Sequence, residues 1–183
     1  RMGGNREIYG EAFGWMASEQ YELTSQGEAA ERVADQWKFS RAELDAYAAE
    51  SHRRAAAARD AGYFEREITP VPVARLKERD YLEAAPESFS ADETIRPGTH
   101  PDKLATLKTP FREEGKLTAG NSSQISDGAA VLLLMSGAAV ERLKVRPRAR
   151  ICAFTTVGSD PTLMLTGPVA ATRKVLQMAG LTV

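Results

Sequence analysis

The chain has 183 residues, with 24 Lys and Arg against 25 Asp and Glu, a formal charge of −1 and 43% hydrophobic residues. That length suits a single good core with little to spare, and the balanced charge leaves no basic field to draw in nucleic acid or anionic lipid nonspecifically. A lone cysteine, Cys152, and two isolated histidines, His52 and His100, exclude an internal disulfide framework and a multi-cysteine metal site.

Residues 1–24 open with "RMGGNREIYG", which lacks the apolar core of a signal peptide, and no later stretch is apolar for the roughly 18 residues that a membrane span needs. A cytoplasmic protein with no membrane and no nucleic-acid partner is the expectation. These first residues mix glycine, aromatics and charges without periodicity, so their apolar groups need a surface outside the segment to pack on. Residues 25–62 read as two helices. Ser25 with Glu28 and Ser40 with Glu43 each fit a capping box, in which two side chains satisfy backbone groups at a helix start. Ala30, Val33, Ala34 and Trp37 share one face of the first helix. Leu44, Tyr47, Ala48, Ser51, Ala55 and Ala58 share one face of the second, which Gly62 ends.

In "EITPVPVARL" β-branched residues alternate, but Pro70 and Pro72 restrict the segment to an edge strand. A long loop follows and leads into a short helix, with Thr99 or His100 ahead of Pro101 at its first position. The apolar run Ala129 to Met135 predicts a buried strand, Ser136 caps a helix through Leu143, and "RARICAFTTVG" predicts a second strand with Cys152 as a small buried hydrophobe. Pro168 at the first turn and Gly180 at the end bound a terminal helix. Two strands and these helices are too few layers to cover both faces of a sheet, so either chain or a partner is expected to complete it.

Between the loop and the first of those strands lies "TAGNSSQISDG", residues 118–128, with almost no side-chain bulk at Gly120, Asn121, Ser122 and Ser123. The pattern G-x-S-x-G of a hydrolase elbow fails at Gln124, and the Asn-Ser-Ser glycosylation match is empty in a cytoplasmic chain. Either a ligand approaches this backbone closely, or the segment is a plain turn feeding a buried strand.

The ordered segments "GEAAERVADQW", "SRAELDAYAAESHRRA", "GYFEREITPV", "DKLATLKTPFREEGKLTAGNSSQISDGAAVLLLMS", "RARI" and "GSDPTLMLTGPVAATRKVLQMAGL" together resemble the middle of a thiolase, an acyl-CoA C-acyltransferase. The resemblance runs from about Gly27 onward. It implies an α/β fold in which the chain is an incomplete central portion of a layered α-β-α-β-α parent. Residues 1–117 would form a loop domain for oligomer contacts and coenzyme A binding, 118–145 the end of the N-terminal thiolase domain and 146–183 the start of the C-terminal one. "SQG" and "GNSSQISDG" are similar to the degradative branch, with fatty-acid β-oxidation as its setting.

The resemblance also implies chemistry. A cysteine thiolate takes the acyl group of a 3-ketoacyl-CoA, and an acid/base group with hydrogen-bond donors stabilises the enolate. The family's nucleophilic cysteine precedes the matched region, and its Glu-Ala-Phe motif, Gly-His-Pro histidine and second cysteine follow it. None is expected here, so no residue of this chain is assigned a catalytic role and the piece alone is expected to be inactive. It would grip the coenzyme A of the substrate, with no tightly bound cofactor and no metal. Ala119 and Gly120 would bring backbone against the pantetheine arm, and Ser123 matches the family's pantetheine-binding serine. Phe111 and Met164 match positions near the thioester, with core packing as the other reading. Arg96 and Leu107 match the adenine end, with simple solvation the alternative for Arg96. His52 lies on the helix that approaches the nucleotide, though "SHRRAAAARD" also reads as a charged helix face.

One departure bears on substrate. Some short-chain members place His-Met before the glycine that matches Gly27, where this chain has Ser25 and Gln26, so acyl-chain specificity does not transfer. A homodimeric or homotetrameric parent is implied. Two other roles fit the same residues: a noncatalytic acyl-CoA-binding relative, or an oligomerisation module built on residues 1–24.

Overall fold

A computed structural model describes residues 20–72 and 87–183. The chain forms α1 (Gln26–Gln36), α2 (Arg41–Asp60), β1 (Val71–Pro72), β2 (Ser88–Phe89), α3 (Pro101–Ala105), α4 (Gly137–Leu143) and α5 (Gly167–Ala179). The described residues divide into two compact units. The first holds 20–38, 111–115 and 123–183, and the second holds 39–72, 87–110 and 116–122.

Helix ends follow the local chemistry of the sequence. Ser40 and Glu43 close a full capping box at α2, with the Ser40 N–H donating to Glu43 Oε2 at 2.8 Å. Past the end of α2, Gly62 takes φ 75, and the Tyr63 N–H donates to the Ala58 carbonyl at 3.0 Å. His100 caps α3 through Nδ1, which accepts from the Asp102 N–H at 3.3 Å, with Pro101 in the first turn. Ser136 caps α4, and Gly180 at φ 68 ends α5. At α1 only half of the predicted box forms. Ser25 Oγ accepts from the Glu28 N–H at 3.3 Å, but the Glu28 carboxylate is engaged by Arg112 and Arg32 instead of returning to the cap.

The helix faces agree with the predicted ones only in part. In α1 the buried residues are Ala29, Glu31 and Ala34, while Trp37 is 46% exposed. In α2 the buried residue is Asp45, and Tyr47, expected inside, is 79% exposed. The apolar stripe places Ala34 correctly and leaves Leu44, Ala48, Ala55 and Ala58 half-buried, but it misses that each helix also turns a carboxylate inward.

β1 and β2 pair antiparallel, Val71 with Phe89 and Pro72 with Ser88. Pro72 has no N–H for a second neighbour, which agrees with an edge position. The rest of "PVARL" and the first 19 residues of the proposed oligomer-contact stretch 1–24 lie outside the described residues.

The two strands predicted at 129–135 and 148–158 are corrected. Among the described residues neither joins a ladder, and both segments are without regular structure and open, with Val131 94%, Leu133 83% and Phe154 83% exposed. An extended segment becomes a strand only when a neighbour supplies the hydrogen bonds, and no described residue does. Cys152 is accordingly exposed rather than buried.

Candidate functional site

In the second unit Asp45 is 1% exposed. A charge so buried is tolerated when it is paired and hydrogen-bonded, and both oxygens are used. Oδ2 accepts from Arg41 Nε at 2.7 Å, one turn back on α2, and Oδ1 accepts from Asn121 Nδ2 at 2.9 Å. Arg41 Nη2 then donates to the Leu104 carbonyl at the end of α3 and, at 3.4 Å, to that of Leu107.

The Asn121 amide closes the turn at residues 118–121 from within. Its Oδ1 accepts from the Thr118 N–H at 2.8 Å, and its Nδ2 also donates to the Lys116 carbonyl at 3.0 Å. Thr118, fully buried, accepts the Gly120 N–H on Oγ1 at 3.1 Å. Gly120 lies under two leucines: a Cβ there would fall 2.5 Å from Leu104 Cδ2 and 2.7 Å from Leu107 Cδ1. Packing on the end of α3 therefore accounts for the glycine on that side. Ala119 stays exposed.

Farther along α2, His52 Nδ1 accepts the Arg96 N–H at 3.2 Å, and Arg96 itself is exposed. Beside this contact lies a cavity of about 470 Å³ whose walls include His52, Ala55, Arg59, Phe64, Ile68 and Ile95.

In the first unit, residues 111–115 dock on α1. The Phe111 ring lies so close over Gly27 that a Cβ there would overlap it, and Gly115 leaves equivalent room for the buried Glu31 carboxylate. Arg112 donates to Glu28 at 2.8 Å and to Asp35 at 2.6 Å. The Arg112 hydrogen bond, followed by that of Arg32, holds the Glu28 carboxyl below its usual range against the opposing effect of burial.

Met164, at φ 52, stands in a turn fastened at both ends. Asp160 Oδ1 accepts the N–H of Thr162 at 2.7 Å and of Leu163 at 3.2 Å. Thr162 and the segment ahead of α1 exchange two bonds, Thr24 Oγ1 to the Thr162 carbonyl at 2.8 Å and Thr162 Oγ1 to the Glu22 carbonyl at 2.9 Å. Ser123 is exposed. Of the eight residues singled out from sequence, the structure brings His52 to Arg96 and Leu107 to Gly120, with Ala119 next in the turn. Phe111, Ser123 and Met164 belong to the other unit, Phe111 in 111–115 and the other two 41 residues apart in 123–183.

Residues 9–138 match the family model described as thiolase, N-terminal domain. The chain belongs to the thiolase family. The acetyl-CoA acetyltransferase of Pseudomonas aeruginosa is 42% identical over 166 residues, covering 91% of this chain and 40% of that protein. A thiolase of Escherichia coli K12 named for 3-oxoadipyl-CoA and 3-oxo-5,6-dehydrosuberyl-CoA is 38% identical over 182 residues, covering 97% of this chain and 44% of its own length. The crystal structure of the Bacillus anthracis acetyl-CoA acetyltransferase superposes with a TM-score of 0.74 at 39% identity, over 86% of this chain and 38% of that one. The thiolase α/β fold is thereby shown, and the chain is a part of it that spans about 40% of the length of these relatives.

Asp45, Arg41 and Thr118 escaped the reading of the sequence. Arg41 and Asp45 are spaced i,i+4, which in sequence looks like an ordinary exposed helix pair; only burial distinguishes this one. Asn121 was visible as a turn residue, but nothing local marked its amide as the group that reaches α2.

Proposed function

We propose that the full-length protein is a thiolase-type acyl-CoA C-acyltransferase, which cleaves 3-ketoacyl-CoA with coenzyme A or condenses acyl-CoA units through an acyl-cysteine. In this reading the nucleophile lies outside these 183 residues, and this portion contributes the hold on coenzyme A. The observation that carries the proposal is the match of residues 9–138 to the thiolase N-terminal domain. The geometry of the second unit supports it, with a hydrogen-bonded turn that leaves Ala119 open beside Gly120.

Ala119 and Gly120 offer backbone to the pantetheine arm, whose amides need polar groups between apolar walls, and Leu107 supplies such a wall. Arg96 and His52 serve the nucleotide end, where a planar guanidinium stacks on a base or pairs with phosphate. Ser123 offers a hydroxyl to the pantetheine, and Phe111 and Met164 offer apolar contact near the thioester. Coenzyme A is substrate here and no cofactor is tightly held. A homodimeric or homotetrameric cytoplasmic enzyme of degradative fatty-acid metabolism, with the domain division at 117/118 and 145/146, completes the proposal. No described helix is long and apolar enough to cross a membrane.

The test is coenzyme A-dependent cleavage of acetoacetyl-CoA and of longer 3-ketoacyl-CoA substrates by the full-length protein, with mass spectrometry of the acyl-enzyme. Turnover with an acylated cysteine supports the proposal. Coenzyme A binding without turnover on any of them would replace it with a noncatalytic acyl-CoA-binding relative.

A further inference from the structure

The buried carboxylate of Asp45 reaches two pieces of backbone that are distant in sequence. Through Asn121 it holds the turn at 118–121, and through Arg41 it holds the carbonyls of Leu104 and Leu107 at the end of α3. These two pieces meet each other where Gly120 lies under the Leu104 and Leu107 side chains. The connection is a closed ring: α2 to the turn, the turn to α3, and α3 back to α2.

We propose that Asp45 and Asn121 are positioning residues, which set the spacing between the Ala119–Gly120 backbone and Leu107 and thereby determine how well the protein holds coenzyme A. The inference rests on the reading that Ala119, Gly120 and Leu107 touch coenzyme A. Neither Asp45 nor Asn121 contacts the ligand.

The chemistry follows from what each atom can do. An ionised carboxylate accepts only, so it needs two donors, and the Asn121 amide and the Arg41 guanidinium supply them. The Asn121 oxygen is committed to the Thr118 N–H and its nitrogen to Asp45 and the Lys116 carbonyl, which fixes the amide orientation. An aspartate at 121 could still accept from Thr118, but it would set a second carboxylate against a buried one and donate nothing. The turn would then be released from α2 while α3 stayed held by Arg41.

The test uses the full-length protein and measures thiolysis of acetoacetyl-CoA at varied coenzyme A, with amide hydrogen exchange over residues 116–121 alongside. Asn121→Asp is expected to raise KM for coenzyme A about tenfold, to leave kcat at saturating coenzyme A within about twofold, and to speed exchange in the turn. Exchanging the two side chains, Asp45→Asn with Asn121→Asp, restores one donor and one acceptor and is expected to recover part of the KM. If Asn121→Asp does not melt cooperatively, Asn121→Ala, which removes the amide without adding charge, decides the matter. Faster exchange in the turn with KM unchanged would overturn the positioning role and leave the proposed function standing. A wild-type protein that neither turns over nor binds coenzyme A would overturn both.

Discussion

The Arg112 guanidinium donates to the Glu28 carboxylate at 2.8 Å across 84 residues of sequence, and the same arginine reaches Asp35 at 2.6 Å. One side chain thus clamps the segment 111–115 along two turns of α1 and fixes Phe111 over Gly27. Both sides of this clamp, the packing at Gly27 and the charge of Glu28, can be measured on the full-length protein.

Gly27→Ala puts a methyl group where the Phe111 ring now lies. Overpacking of this kind costs about 1–3 kcal/mol, so a lower melting temperature is expected. Gly27→Ala combined with Phe111→Ala should cost less than the sum of the two single changes, because removing the ring makes the space for the methyl. Additive losses in thermal denaturation would show that ring and glycine do not share the space.

Glu28 has a folded pKa below its ordinary value, through its hydrogen bonds from Arg112 first and Arg32 after it. A depressed carboxylate contributes stability that is fully present above its unfolded pKa of about 4.3 and is lost as pH falls through the folded value. Arg112→Ala should therefore lower stability at neutral pH more than in acid below the folded value, and an NMR titration should show Glu28 moving up toward the ordinary range. A Glu28 midpoint unmoved by the substitution would contradict the pairing.

Glu50 receives Arg53 Nε at 2.6 Å and Arg54 Nε at 2.6 Å on the surface of α2. These hydrogen bonds, Arg53's first, bring its pKa down from 4.5 to about 2. Its contribution to stability is present above the ordinary value and fades between there and about pH 2. Replacing both arginines by alanine should return the titration to the ordinary carboxylate range with little change in melting at pH 7, since solvent screens pairs this exposed.

Ser123→Ala removes one hydroxyl from the proposed pantetheine contact. Loss of one hydrogen bond weakens binding by roughly 0.5–1.5 kcal/mol, so calorimetry should show coenzyme A affinity falling by about two- to thirteenfold. Unchanged affinity would remove Ser123 from the site.

What the sequence determined by itself was whatever depends on a few adjacent residues or on their order. Ser40 with Glu43, Pro101, Ser136, Gly62 and Gly180 mark helix ends because capping joins atoms three or four residues apart, and a left-handed residue needs only its own lack of a Cβ. The family was legible for the same reason, as six segments in fixed order. Tertiary structure alone decided which carboxylates turn inward. Asp45 and Glu31 occupy faces that an apolar pattern assigns to alanine and leucine, and Asp45 is stable there because Asn121, 76 positions later, brings a donor to it. It also decided the fate of Val131 and Phe154, whose segments have strand composition and no ladder among the described residues. A strand is made by its neighbour, and a buried charge by its partner, and neither partner is written beside the residue that needs it.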